Sequence, residues 1–187
     1  MSKATIIILI LFFISARLVG NENDTLIMWS EDYKLKWSDF RGNPDPEYAT
    51  LPDYQQTKAI SNIGTTSKYE LNGNIFTFKV EVYFNRYKSW TVLKTDQLLE
   101  HEQIHFDIAE LYRRKIIRVF DSLKLDGVVD FDIYDSLFYK MRQEYLLTQQ
   151  QYDFETGGGT FNKIQNDWKV DIEAELRRYS VDKRGND

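Results

Sequence analysis

Cysteine is absent from all 187 residues. That excludes disulfide bonds, thiolate metal ligands and the lipid-bearing cysteine of a bacterial lipoprotein. Histidine is almost absent too, with only His101 and His105. Any bound metal must then be held by His, Asp or Glu, a donor set that suits zinc or another borderline-hard divalent ion. The three prolines, Pro44, Pro46 and Pro52, fall in one loop-like stretch, PDPEYATLPD. Everything after them lacks the residue that most severely interrupts helices and ladders. Positive charge is in deficit, with a net charge of −5, which argues against a nucleic-acid binder.

Long apolar runs are missing as well, apart from Ala4 to Ile14 in MSKATIIILILFFISARLVG. A bilayer span needs about 20 apolar residues, so this run is too short. Lys3 precedes it and small residues follow up to Gly20. That is the layout of a secretory signal peptide. We expect residues 1–20 to be removed, leaving a secreted or periplasmic chain without a membrane span and with a net charge of −7. An uncleaved anchor is the competing reading. What the chain has in quantity is aromatic residues, 15 %, which fits a packed fold rather than disorder.

The remainder reads as one domain, residues 21–180, with a flexible tail at 181–187. Residues 21–53 show no helical period and read as short strands and loops, with KLKWSDFRG the most ordered part. Thr57 to Tyr69 looks like a strand interrupted near Gly64. Asn72-Gly73 then signals a hairpin. FTFKVEVYFN alternates strictly, with Phe76, Phe78, Val80, Val82 and Phe84 on one face, as in a half-buried antiparallel strand. If this strand lies at a sheet edge, it can bind an extended peptide.

From Thr95, which can serve as an N-cap, the period becomes helical. One helix is expected from about Asp96 to about Leu123, followed by a turn at Asp126-Gly127. A second is expected from about Asp132 to Thr156, ended by Gly157, Gly158 and Gly159. A third should run from about Phe161 to Tyr179, capped by Thr160, with Ile164, Trp168, Ile172 and Leu176 on one face. The fold class is α+β, a small antiparallel sheet followed by three helices.

The chemistry concentrates in LLEHEQIHFDIAE. His101 and His105, four apart on a helix, share a face, so one ion can reach both. Glu102 stands one step round the helix. There it can take a proton from a metal-bound water and pass it to a leaving amine, which is the content of H-E-x-x-H. Glu110 and Asp107 point off the histidine face, since each residue turns about 100°. Tyr112 returns to that face but is a poor zinc ligand. No glycine follows the second histidine, unlike the metzincin pattern. The third ligand must come from later in the chain, with Glu144, Asp153 and Glu155 as candidates.

HEQIHFDIAELYRRK, with KWSDFRG before it and QYDFETGGGTFNKIQNDW after it, resembles a bacterial family known as domain of unknown function 922. That family is described as secreted zinc-dependent peptidases of the zincin type. The resemblance runs from about Leu35 to Leu176 and implies a zincin-like fold, one Zn2+ and peptide or protein substrates. Its Tyr-Asp-x-Glu-Thr block falls on Tyr152, Asp153, Glu155 and Thr156. Members commonly continue Thr-x-His-Gly, and here Gly158 stands at that histidine. If the histidine is the family's third ligand, it has been lost. If Asp153 is, the site is intact, and its place just before the glycine break favours it. Tyr152 is a candidate oxyanion donor, with a core aromatic as the alternative. The expected function is a zinc metallopeptidase with Glu102 as general base. The alternative is a catalytically impaired zincin-like module with a binding or structural role in the cell envelope.

Overall fold

A computed structural model of the protein describes residues 24–44 and 57–180. The expected signal peptide, most of the proline loop and the tail lie outside the described residues. Five strands precede three helices. They are β1 (Leu26–Met28), β2 (Ala59–Ile60), β3 (Ile63–Asn72), β4 (Ile75–Asn85), β5 (Trp90–Thr91), α1 (Asp96–Leu125), α2 (Phe131–Thr156) and α3 (Asn162–Arg178). A turn of 3-10 helix, Trp37–Asp39, lies between β1 and β2.

β4 is central to a three-stranded antiparallel sheet of order β1-β4-β3, and β2 pairs with β5 in a separate ribbon. The alternation in β4 turns Phe76, Val80, Val82 and Phe84 inward, all at most 4 % exposed. Because β4 pairs with β3 along its length and with β1 at Tyr83–Asn85, it is not the free edge considered for peptide binding. The break expected near Gly64 falls instead at Ser61-Asn62. Gly64 continues the ladder opposite Tyr83, and a Cβ there would collide with the Tyr83 ring. Glycine at this position allows close approach, not a break. The hairpin loop is Gly73-Asn74, one residue later than expected, with Gly73 at φ +63°.

Thr95 caps α1 by accepting from the Leu98 amide at 3.2 Å. Asp130 caps α2 by accepting from the Asp132 amide. Gly157 ends α2 in the left-handed region, φ +59°, which costs glycine little. Thr160 does not cap α3. Phe161 occupies that position without a side-chain cap bond. Of the expected stripe on α3, Ile172 and Leu176 are buried, while Ile164 stays exposed.

α1 and α2 form an antiparallel hairpin about Gly127. Phe120 packs on Tyr134, Tyr112 on Tyr145, and His101 faces Asp153. One apolar cluster joins the first half of α1 to β4, α2 and α3. A second, built on Phe76, Phe120, Tyr134 and Phe138, closes its far end. Among the described residues no helix is long and apolar enough to cross a membrane.

Candidate metal centre

His101 and His105 project from α1 towards the last turn of α2. Their Nε2 atoms lie 3.1 Å apart, and each is within 3.1 Å of Asp153 Oδ1. Among the described residues these three are the only His, Asp or Glu cluster able to hold an ion. A tetrahedral ion with bonds near 2.0–2.1 Å sets its donors about 3.3 Å apart, so the observed spacing needs only a small adjustment. The donor set of two imidazoles and one carboxylate is a normal catalytic zinc set.

The other proposed carboxylates are elsewhere. Glu155 accepts from Trp168 Nε1 and Gln151 Nε2, both at 2.8 Å, and so ties α2 to α3. Glu144 is exposed and stands outside the cluster. Tyr152 is fully buried. Its ring stacks on His101 at 4.6 Å, and its hydroxyl reaches the His101 carbonyl at 3.5 Å. That hydroxyl is turned to the α1 backbone rather than to the groove, which suits packing support and not an oxyanion donor.

Each of the three side chains is held differently. Gln149, one turn before Asp153 on α2, clamps His105 from both ends. Its Oε1 is in short contact with His105 Nδ1, and its Nε2 donates to the His105 carbonyl at 2.9 Å. Accepting from Nδ1–H leaves the Nε2 lone pair for a metal. His101 is 2 % exposed, and its Nδ1 has no hydrogen-bond partner among the described residues. It is held by the Tyr152 ring and by Gly159, where a Cβ would come within 3.0 Å of the imidazole. Gln97 fastens the glycine turn to α1, donating to the Gly159 carbonyl at 2.7 Å. Gly158 faces open space at φ +59° and lines the groove.

The electrostatics of the cluster follow from its burial and from the contact of two imidazoles with one carboxylate. Burial pushes the His101 pKa down, against the pull of Asp153. Burial also opposes a charge on His105, but the bonded Asp153 and nearby Glu102 outweigh it and raise its pKa to about 9. Asp153 loses hydration, yet the two imidazoles hold its carboxyl well below the usual carboxylate range.

Glu102 is 3 % exposed, and its Oε2 accepts from the Ser61 hydroxyl at 2.6 Å. It lies with His101, His105 and Asp153 on a groove of about 960 Å³ between residues 57–63 and α2. The other motif residues are structural. Gln103 accepts from the Leu35 amide at 2.8 Å and donates to Asp107, which also accepts from Trp29 at 2.7 Å. Asp39 of KWSDFRG accepts from Tyr33, the Lys36 amide and Arg86, each at 2.8 Å. These bonds pin the N-terminal segment against α1 and the end of β4.

No protein-family model matches the chain, and no curated protein or solved structure matches it either. The molecule itself defines a mixed α/β protein with a small antiparallel sheet, three helices and a His101–His105–Asp153 group able to hold a metal ion.

Gln149 and Ser61 were not anticipated from sequence. For Gln149 a signal existed. His101 and Asp153 each lie 26 residues from Gly127, and His105 and Gln149 each lie 22. Folding two helices of equal rise about that glycine brings each pair level. Ser61 offered no such signal.

Proposed function

We propose that the protein is an exported zinc-dependent peptidase with a zincin-like arrangement. The observation that carries this reading is the convergence of His101 Nε2, His105 Nε2 and Asp153 Oδ1 beside Glu102 on an open groove. The resemblance of HEQIHFDIAE and YDFET to domain of unknown function 922 supports it from the sequence side. A bound zinc ion supplies Lewis acidity, lowering the pKa of a water towards ~7 and polarising a carbonyl.

The chain's own residues do the rest. His101, His105 and Asp153 hold the ion. Gln149 keeps His105 in the tautomer that presents Nε2. Glu102 takes a proton from the attacking water as the new C–O bond forms. It returns that proton to the amine as the C–N bond breaks. The open groove gives a peptide access to the site.

The test is metal analysis and hydrolysis of unfolded casein by the purified chain. One zinc per chain is expected, and Glu102→Gln should keep the zinc while losing about 10²–10⁴-fold in rate. Undiminished cleavage by that variant sinks the role of Glu102. The same donor triad also holds iron(II) in oxygenases, and an iron-selective chain would redirect the reading. Gly158, standing where the resembled family has histidine, motivates a second reading, an envelope module without peptidase activity. Failure to take up zinc at slight excess would favour it.

A further inference from the structure

We propose that Ser61 is a positioning residue for the general base, holding Glu102 Oε2 so that Oε1 alone is left to accept the proton. The inference rests on the peptidase reading and deepens it. Ser61 and Asn62 form the link between β2 and β3, on the wall of the groove opposite α2. The Ser61 hydroxyl donates to Glu102 Oε2 at 2.6 Å, the one hydrogen bond Glu102 makes through its side chain among the described residues.

The backbone that carries Ser61 is anchored on both sides. Before it, Ile60 pairs with buried Trp90. After it, the Asn62 amide donates to Ser89 Oγ at 2.8 Å, and its carbonyl accepts from the Asn85 amide at 2.8 Å. Ser89 is fully buried and donates in turn to the Asn85 carbonyl at 2.7 Å. The hydroxyl therefore comes from an already ordered frame, and little further ordering is needed when it engages the carboxylate. A glutamate side chain is rich in rotamers. At 3 % exposure Glu102 has little access to water, so the Ser61 hydroxyl is the donor that decides where its oxygens point. A fixed donor selects one rotamer and one free oxygen.

The experiment compares wild type, Ser61→Ala, Ser61→Thr and Glu102→Gln as full, zinc-loaded chains on labelled unfolded casein. Ser61→Ala should lower kcat by about 10–100-fold, the range for losing a hydrogen bond to a charged group, with KM within about twofold. Zinc content and Tm should not change, and Ser61→Thr, which keeps the hydroxyl, should recover most of the rate. A readout free of activity is a crystal structure of each chain. In wild type and in Ser61→Thr, Glu102 should hold one rotamer, bonded to the hydroxyl at position 61. In Ser61→Ala it should move or split. Full kcat in Ser61→Ala with an unmoved Glu102 overturns the role of Ser61 and leaves the peptidase reading standing. Zinc loss in Ser61→Ala also overturns it, because the hydroxyl would then be supporting the ligands. Full activity in Glu102→Gln overturns the role of Glu102 and that of Ser61 with it, and no hydrolysis by wild type overturns the peptidase reading as well.

Discussion

Between Leu98 and Leu111, α1 buries His101, Glu102, Gln103, Asp107 and Glu110 alongside its apolar residues, whereas from Ile116 onward it buries only Ile116 and Phe120. The far half obeys the ordinary amphipathic rule, with an apolar stripe on the aromatic cluster and polar residues in solvent. The near half is enclosed by the N-terminal segment, the sheet, α2 and α3, and so must bury polar groups. Nearly every one of those groups has a partner distant in sequence: Trp29, Leu35, Ser61 or Asp153. Glu110 is the exception, paired locally with Arg113 and Arg114 at 2.6–2.9 Å. A buried polar group left unpaired costs about 1–3 kcal/mol. One helix thus has a half that stabilises the fold by area and a half whose burial is tolerated because tertiary partners complete it.

This contrast can be broken at either end. The largest effect should come from the far half. Phe120→Ala should destabilise the protein by about 3–5 kcal/mol in denaturant unfolding through cavity formation, while zinc stoichiometry stays the same. If zinc is lost in a variant that is still folded, the two halves are not separable. In the near half, Gln149→Met should leave the fold intact and weaken zinc by about 10–100-fold, as expected for the partner that orients a ligand. Competition with a chelator measures it, and unchanged affinity would mean that His105 needs no clamp.

The next effect is graded with pH. Zinc binds neutral imidazole, and His105 without metal has its pKa raised to about 9. Below that value each ion displaces a proton, so affinity should rise about tenfold per pH unit. Metal-free stability should run the other way. The contribution of the His105–Asp153 pair is complete below the ordinary histidine value near 6.5 and is lost as pH rises towards 9. Thermal melts with and without zinc across that window test the opposed signs. The smallest effect belongs to Glu155, which bonds Gln151 and Trp168 and not the cluster. Glu155→Gln should change stability by no more than about 0.5 kcal/mol and zinc affinity not at all. Loss of zinc on that substitution would reopen the question of the third ligand.

Much of the frame was legible because it is local. The 3.6-residue period, the Thr95 cap and the glycines after Thr156 placed α1 and α2 to within two residues of where they lie. Strict alternation marked the inner face of β4. The misreadings came where a neighbour decides. Gly64 continues a strand because the Tyr83 ring lies against it, and the alternating strand is central because β1 and β3 flank it. Thr160 and Ile164 have residue types that suit a cap and a core stripe, but the turn into α3 and its packing assign them otherwise.

By itself, the sequence determined that His101, Glu102 and His105 share one helix, and that nothing within the same helix completes their site. That follows from helix geometry, which repeats over a few residues and needs no partner. Only the tertiary structure brought Asp153, and not Glu144 or Glu155, to the two imidazoles, supplied Gln149 to His105 and brought Ser61 to Glu102. Those contacts span tens of residues, and each depends on how the hairpin about Gly127 and the anchored link after β2 set one surface against another.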